Sequence, residues 1–163
     1  MGIHESERLL LGGILKYKDK AYSEIENKLK PTDFSNPVEH QNIFSVIVNA
    51  INRKEYFDAT IVANDLKKMG ISHVHGQPIF DYLESISLTQ VQKKAIPRYA
   101  REIFEEWQLN FAKKKAHQII KSIDNRGPKL YGDTISEIDK TWGEIEFSHF
   151  EESQKGRVLT DGI

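Results

Sequence analysis

Apolar residues recur at helical spacing through most of the chain, and this pattern predicts a series of α-helices. The first helix is expected from about His4 to Tyr17, because its leucines and isoleucines form a broad apolar face. The pair Gly12-Gly13 inside it lowers helix propensity, so we expect another helix to approach closely there. A second, short helix is predicted from Ala21 to Leu29.

Start and stop signals divide the middle of the chain. Asn36 as a cap, with Pro37 at the first helical position, predicts a helix that ends near Arg53. Asp58 is expected to cap the next helix, and Gly70 to end it. A loop is predicted after Gly70, followed by a helix that contains Ile79, Phe80, Leu83 and Ile86. No segment alternates apolar and polar residues, so no strand is predicted.

A long helix is predicted from about Gln92 to Ile123, with Pro97 marking either its true start or a kink. Its apolar positions are interpreted as one stripe: Tyr99, Ile103, Trp107, Ala112, Ala116, Ile119 and Ile123. Residues 125–128 break this helix, and Thr134 with Glu137 forms a capping-box pattern for another. That last helix has apolar residues at spacings of three, four and three, typical of a narrow seam for one partner helix: Ile135, Ile138, Trp142 and Ile145.

These elements predict an all-α fold with three parts. A compact globular bundle of short helices covers residues 1–90, a long protruding antiparallel helical hairpin covers residues 91–148, and a linker covers residues 149–163. From Lys93 to Lys121 the sequence has eight basic and three acidic residues, whereas from Asp133 to Glu152 it has seven acidic residues and one lysine. Opposite charges favour pairing of the two helices, within one chain or between chains.

Composition excludes several classes of function. The net charge of −1 gives no overall attraction to nucleic acid or acidic lipid, and the absence of cysteine excludes disulfides and thiolate chemistry. The sequence has no signal peptide and no apolar run long enough to span a membrane, so a cytoplasmic protein is expected. The run Lys113-Lys114-Lys115 lacks an aromatic platform on its face and is interpreted as a solvated or ion-paired surface, with weak or no direct DNA binding.

No motif for catalysis or cofactor binding is found. There is no G-x-x-x-x-G-K-[ST] phosphate loop, no H-E-x-x-H and no G-x-S-x-G. His73 and His75 are interpreted as loop histidines, because a metal site there would need further ligands. His40 and His117 are interpreted as polar residues on amphipathic helices. The sequence therefore predicts no catalytic, cofactor-binding or metal-binding residue.

Several short segments, in this order, resemble the N-terminal domain of DnaB-like replicative helicases. They are Glu5 to Leu15, Asp33-Phe34 with His40 and Ile43-Phe44, Phe57 to Ile61 continuing through Leu66 and Gly70, Tyr82-Leu83 with Ile86, and Tyr99-Ala100 with Ile103. The resemblance covers roughly residues 4–123. Gln77-Pro78 and the stretch from Ser87 to Ile96 depart from the family pattern, as a divergent phage or plasmid helicase would.

The resemblance implies a non-catalytic collar domain of a hexameric helicase. Such a domain forms dimers through its hairpin, three dimers assemble as a hexamer, and the collar docks a primase and, in some members, a helicase loader. ATP and Mg²⁺ would act in a motor domain that follows the linker, and none is expected in these 163 residues. The residues expected at subunit contacts are Gly12, Gly13, Trp107, Ile119, Ile135, Ile138, Trp142 and Ile145.

Two other interpretations stay open on the sequence alone. The helicase-binding domain of a primase is similar in having a helical bundle followed by a C-terminal hairpin. A small helical protein that binds nucleic acid through the basic helix is the other alternative, and tight, salt-sensitive binding to single strands would support it.

Overall fold

A computed structural model describes residues 3–35, 37–125, 132 and 135–144. The helices are α1 (Ile3–Tyr17), α2 (Asp19–Tyr22), α3 (Glu39–Asn52), α4 (Ala59–Lys68), α5 (Ile79–Ser87) and α6 (Ile96–Asp124), and residues 135–144 are also helical. Short 3₁₀ helices cover Pro31–Asp33 and Lys93–Ala95, and two-residue strands cover β1 (His73–Val74) and β2 (Gln77–Pro78). Helices account for 73% of the structure, which confirms the predicted all-α class.

The chain divides into two compact units. Unit 1 comprises residues 1–105 and unit 2 comprises residues 106–163, and α6 runs through the boundary. The boundaries predicted from the sequence, after residues 90 and 148, stay a prediction, as does the antiparallel hairpin.

Helix α1 packs against α2, α3 and α5 in the core of unit 1. Its residues Gly12 and Gly13 are buried, and each permits a close approach within the same chain. A Cβ atom on Gly12 would overlap the backbone carbonyl of Ile86 in α5, and one on Gly13 would overlap the side chain of Ile96. The close approach predicted at this pair is therefore made by α5 and by the start of α6.

Helix α4 has the boundaries that its cap residues predict. The Asp58 carboxylate accepts a hydrogen bond of 2.9 Å from the backbone N–H of Ile61, which satisfies one of the free donors at the helix start. Gly70 follows the end of the helix with φ of 85°, a conformation that glycine adopts without steric cost.

The segment between α4 and α5 is a β-hairpin, so its prediction as a loop without strands was wrong. His73 pairs with Pro78 and Val74 with Gln77. The two turn residues, His75 and Gly76, both have positive φ, at 51° and 77°, as a two-residue type I′ turn requires. Strands of two residues are too short to show the alternation on which sequence analysis depends.

Three helix starts and ends also differ from the prediction. Instead of a helix from Ala21 to Leu29, α2 ends at Tyr22 and turns follow, with Asn27 at a left-handed φ of 66°. Helix α3 begins at Glu39 with Val38 in the cap position, so Pro37 is not its first residue, and Asn36 lies outside the described residues. Helix α6 begins at Ile96, after a 3₁₀ turn, and not near Gln92; Pro97 therefore lies at its start, which confirms one of the two roles predicted for this proline.

Candidate functional site

A chain of buried polar side chains connects three helices of unit 1. His40 of α3 lies between Glu7 of α1 and Tyr82 of α5: its Nδ1 is 3.0 Å from the Glu7 carboxylate and its Nε2 is 2.5 Å from the Tyr82 hydroxyl. Glu7 and His40 have no exposed surface, and Tyr82 is 4% exposed. The Glu7 carboxylate also accepts a hydrogen bond from the backbone N–H of Ser35 at 3.2 Å. A buried carboxylate requires such partners, because an unpaired one would cost several kcal/mol.

The electrostatics of Tyr82 follow from this burial. Burial raises the pKa of Tyr82 to about 12, and the positive charge of Arg8 opposes part of that rise. The hydroxyl therefore stays protonated up to strongly alkaline pH and keeps its contact with His40. The arrangement fixes the positions of α1, α3 and α5 relative to one another.

His40 lies on an amphipathic helix, as predicted, but the prediction did not include the full burial of its side chain. The sequence does contain a signal for it. His40 precedes the buried residues Phe44 and Ile47 by four and seven positions, so helical spacing places it on their face. Glu7 has the same relation to Leu11 and Ile14 in α1.

In unit 2, one face of α6 packs within the unit. The rings of Trp107 and Phe111 stack with centroids 4.9 Å apart, and the Lys115 ammonium lies 5.5 Å from the centre of the Phe111 ring. Lys115 also donates a hydrogen bond of 2.6 Å to Glu144, which lowers the pKa of that carboxyl. This contact joins α6 to the helical residues 135–144.

A second face of α6 is apolar and exposed. Leu109, Ile120 and Ile123 are 57%, 55% and 46% exposed, and Ala116 lies exposed among them. Their spacing of seven, four and three residues places all four within about a sixth of the helix circumference, at about 100° per residue. We call these four residues the apolar face of α6.

The helical residues 135–144 also expose large apolar side chains. Trp142 is 58% exposed and Ile135 is 38% exposed, and the two are seven residues apart. Throughout the described part of unit 2, no residue is buried. Isolated exposed apolar residues are ordinary, but a line of them at heptad spacing is typical of a helix surface that another helix covers.

The structure separates the residues predicted at subunit contacts into four groups. Ile135 and Trp142 are exposed, Trp107, Ile119 and Ile138 are half-buried, and Ile145 lies outside the described residues. Gly12 and Gly13 are corrected: they pack inside unit 1 of their own chain, which leaves no surface there for another subunit. Sequence analysis missed Leu109 and Ile120, because it assigned the apolar residues of α6 to a single stripe.

Comparison with known proteins places unit 1 in a family. The model of the DnaB-like helicase N-terminal domain matches residues 3–105. The chain belongs to this family. The match ends at residue 105, where unit 1 ends. The residues that match the family model are therefore also those that contain the buried hydrophobic core.

Two relatives support the assignment. The replicative DNA helicase DnaB of Mycobacterium leprae (strain TN) is 35% identical over 81 residues, which cover 49% of this chain and 13% of the relative. The crystal structure of the N-terminal domain of DnaB helicase from Mycobacterium tuberculosis superposes with a TM-score of 0.73 at 26% identity, covering 86% of this chain and 94% of that one. The resemblance stated from the sequence is therefore confirmed, and the DnaB-like chain spans a small part of its curated relative.

Over the described ranges, no helix has both the length and the apolar content to cross a membrane. The same ranges contain no group of three metal-ligating side chains. His73 instead contacts the Ser72 hydroxyl at 2.9 Å.

Proposed function

We propose that this DnaB-like domain is a non-catalytic assembly and docking module of a hexameric replicative DNA helicase. The observation that carries the proposal is the apolar face of α6, together with exposed Ile135 and Trp142. Unit 1 packs its apolar residues into a closed core, whereas these side chains of unit 2 have no cover within the described chain. A surface of this kind is suited to contact with another protein.

The proposed occupant of this surface is a second copy of the same chain. Two copies related by a twofold axis present the same apolar residues to each other, which is the commonest arrangement in soluble oligomers. Dimers of this kind, three to a ring, are the assembly that we propose for the parent protein.

We further propose primase and a helicase loader as partners of the assembled domain. The support is the family assignment together with the apolar side chains that unit 1 leaves exposed: Val38, Tyr56, Ile61, Met69, Phe80 and Leu88. ATP and Mg²⁺ would act in a separate motor domain of the parent protein, since the sequence has no phosphate-loop motif. A cytoplasmic location is part of the same proposal.

The proposed self-association is tested by placing charge on the apolar face of α6. The double variant Ile120→Asp, Ile123→Asp should shift the chain toward monomer in sedimentation velocity, because two carboxylates would be buried without partners at the contact. The matched control is Met69→Asp, Leu88→Asp, which alters two exposed apolar residues of unit 1 and should leave association unchanged. Equal association of both variants would contradict the proposed contact.

A further inference from the structure

The part of α6 that belongs to unit 2 carries an uneven charge. From Trp107 to Ile123 it has four lysines and one histidine, and the acidic residues Glu106 and Asp124 flank this segment. The chain as a whole has a net charge of −1, so this segment differs from the average surface. A local cluster of this kind attracts anions even where the whole molecule does not.

Most of this charge has no ion-pair partner among the described residues. In the unit 1 part of α6, Arg98 pairs with Glu102 at 3.3 Å and Arg101 lies 3.9 Å from Glu105. In unit 2, Lys115 pairs with Glu144. The remaining lysines differ, since no described residue forms an ion pair with any of them: Lys113, Lys114 and Lys121.

These lysines share one face of the helix. Lys113, His117 and Lys121 follow at intervals of four residues, which places them about 6 Å apart along the helix axis. Lys114 and Asn110 lie beside this line, and all five side chains are exposed. We call these five residues the basic face of α6. At about 100° per residue it occupies a sector that contains neither the apolar face nor the packing residues Phe111 and Lys115, and the acidic residues Glu106 and Asp124 lie at the two ends of this sector.

We propose that the basic face of α6 binds the phosphate backbone of a nucleic acid. Exposed lysines in a line suit a ligand with a regular series of negative charges, and the neighbouring Asn110 adds a hydrogen-bonding group. A protein partner fits less well, because lysine is depleted from the cores of protein interfaces and no apolar residue lies within this face. The sequence alone favoured a solvated or ion-paired surface, and among the described residues Lys115 is ion-paired while Lys113 and Lys114 are exposed and accessible to a ligand.

The test is a titration of labelled oligonucleotides, single-stranded and double-stranded, with the 163-residue chain, followed by fluorescence anisotropy at several salt concentrations. The test variant is Lys113→Gln, Lys114→Gln, Lys121→Gln. Its matched control is Lys67→Gln, Lys93→Gln, Lys94→Gln, which removes the same charge from exposed positions of unit 1. Circular dichroism of both variants shows that helix content is retained.

We expect the test variant to bind at least about tenfold more weakly near 50 mM salt, and its salt dependence for single strands to fall by about two in the log–log slope. The control should bind as the wild type does. The comparison of the two oligonucleotides shows which strand form the face prefers. Absence of wild-type binding at low salt, or equal loss in the control, would overturn the proposal.

The same variants also separate this inference from the proposed self-association. If the lysine substitutions change the molar mass in sedimentation and leave oligonucleotide affinity unchanged, the face contacts an acidic protein surface, and the nucleic-acid proposal is wrong. If they change only oligonucleotide affinity, the basic face acts independently of the apolar face.

Discussion

The two units of the chain are built from similar helices but differ in how they bury apolar residues. In the described structure, every buried hydrophobic residue lies between Leu9 and Ile103, within unit 1. Unit 2 has large apolar side chains too, yet those described are half-buried or exposed. Helices that bury an apolar face against each other are stable in one chain, whereas unit 2 would gain burial from a second chain.

Polar residues on the packing faces of helices have different kinds of partner in the two units. In unit 1 the polar residues on the buried faces, Glu7 and His40, have partners from other helices of the chain. In unit 2 the charged residue on the packing face, Lys115, reaches Glu144 at the protein surface. The buried polar residues of unit 1 therefore find their partners within the chain. We infer that the stability of unit 2 depends on a second protein surface that covers its exposed apolar side chains.

The largest expected effect comes from removing a core aromatic ring. Phe44→Ala in unit 1 should lower the free energy of unfolding by about 3–5 kcal/mol, because the ring is fully buried and leaves a cavity. Phe111→Ala in unit 2 is the matched change, and its effect should be much smaller because Phe111 is only half-buried. Urea denaturation followed by circular dichroism measures both. Equal losses would contradict the difference between the units.

A substitution at Trp142 tests the open surface of unit 2. Trp142→Ala should weaken self-association by roughly 2 kcal/mol or more if the ring is an anchor at the contact, as buried aromatic residues commonly are. The denaturation of unit 1 should not change. Tyr56→Ala is the control, since Tyr56 is an exposed aromatic residue of unit 1. Unchanged association of the Trp142 variant would place the seam within one chain.

Alkaline pH tests the buried polar chain of unit 1. The pKa of Tyr82 rises from 10.0 to about 12 on folding, so the unfolded chain loses this proton first. The stability that this difference confers is present below pH 10 and is lost as the pH rises from 10 to 12, by about 2–3 kcal/mol in total. The variant Tyr82→Phe should lose this part of the pH dependence in denaturation curves. An identical slope in the wild type and the variant would show that the hydroxyl is not held as the structure indicates.

Substitutions at two glycines, one in each unit, should change the stability in opposite directions. Gly12→Ala should destabilise the fold by about 1–3 kcal/mol, because the new Cβ overlaps the Ile86 carbonyl of α5. Gly143→Ala has open space around the new Cβ and should stabilise its helix by about 1 kcal/mol. Thermal melts of the two variants should therefore move in opposite directions.

Local signals in the sequence predicted much of the fold. The cap at Asp58, the stop at Gly70 and the close approach at Gly12-Gly13 were all correct, because each depends on residues near one another in the chain or on a single steric requirement. The hairpin at His73 to Pro78 was missed, since its strands are too short to show a period. The length of α2 was wrong because the turn at Asn27 carries no glycine or proline.

The candidate site was less predictable than the fold. The burial of His40 depends on Glu7 and Tyr82, which lie 33 and 42 residues away in the chain, so no local pattern shows that they meet. The exposure of Trp142 and Ile135 is compatible with the predicted seam. The sequence analysis did not, however, distinguish the apolar face of α6 from the face that packs within unit 2 through Phe111 and Lys115. That separation needs the position of Glu144 against Lys115, which only the structure gives.

We propose that a second copy of the chain covers the apolar surface of unit 2. Sedimentation equilibrium of the wild-type chain over a wide range of concentrations tests it most directly, because the molar mass is read without any substitution. We expect a mass that rises with concentration from one chain of 18.8 kDa to a dimer or a hexamer. A mass that stays at 18.8 kDa at the highest concentration would contradict it.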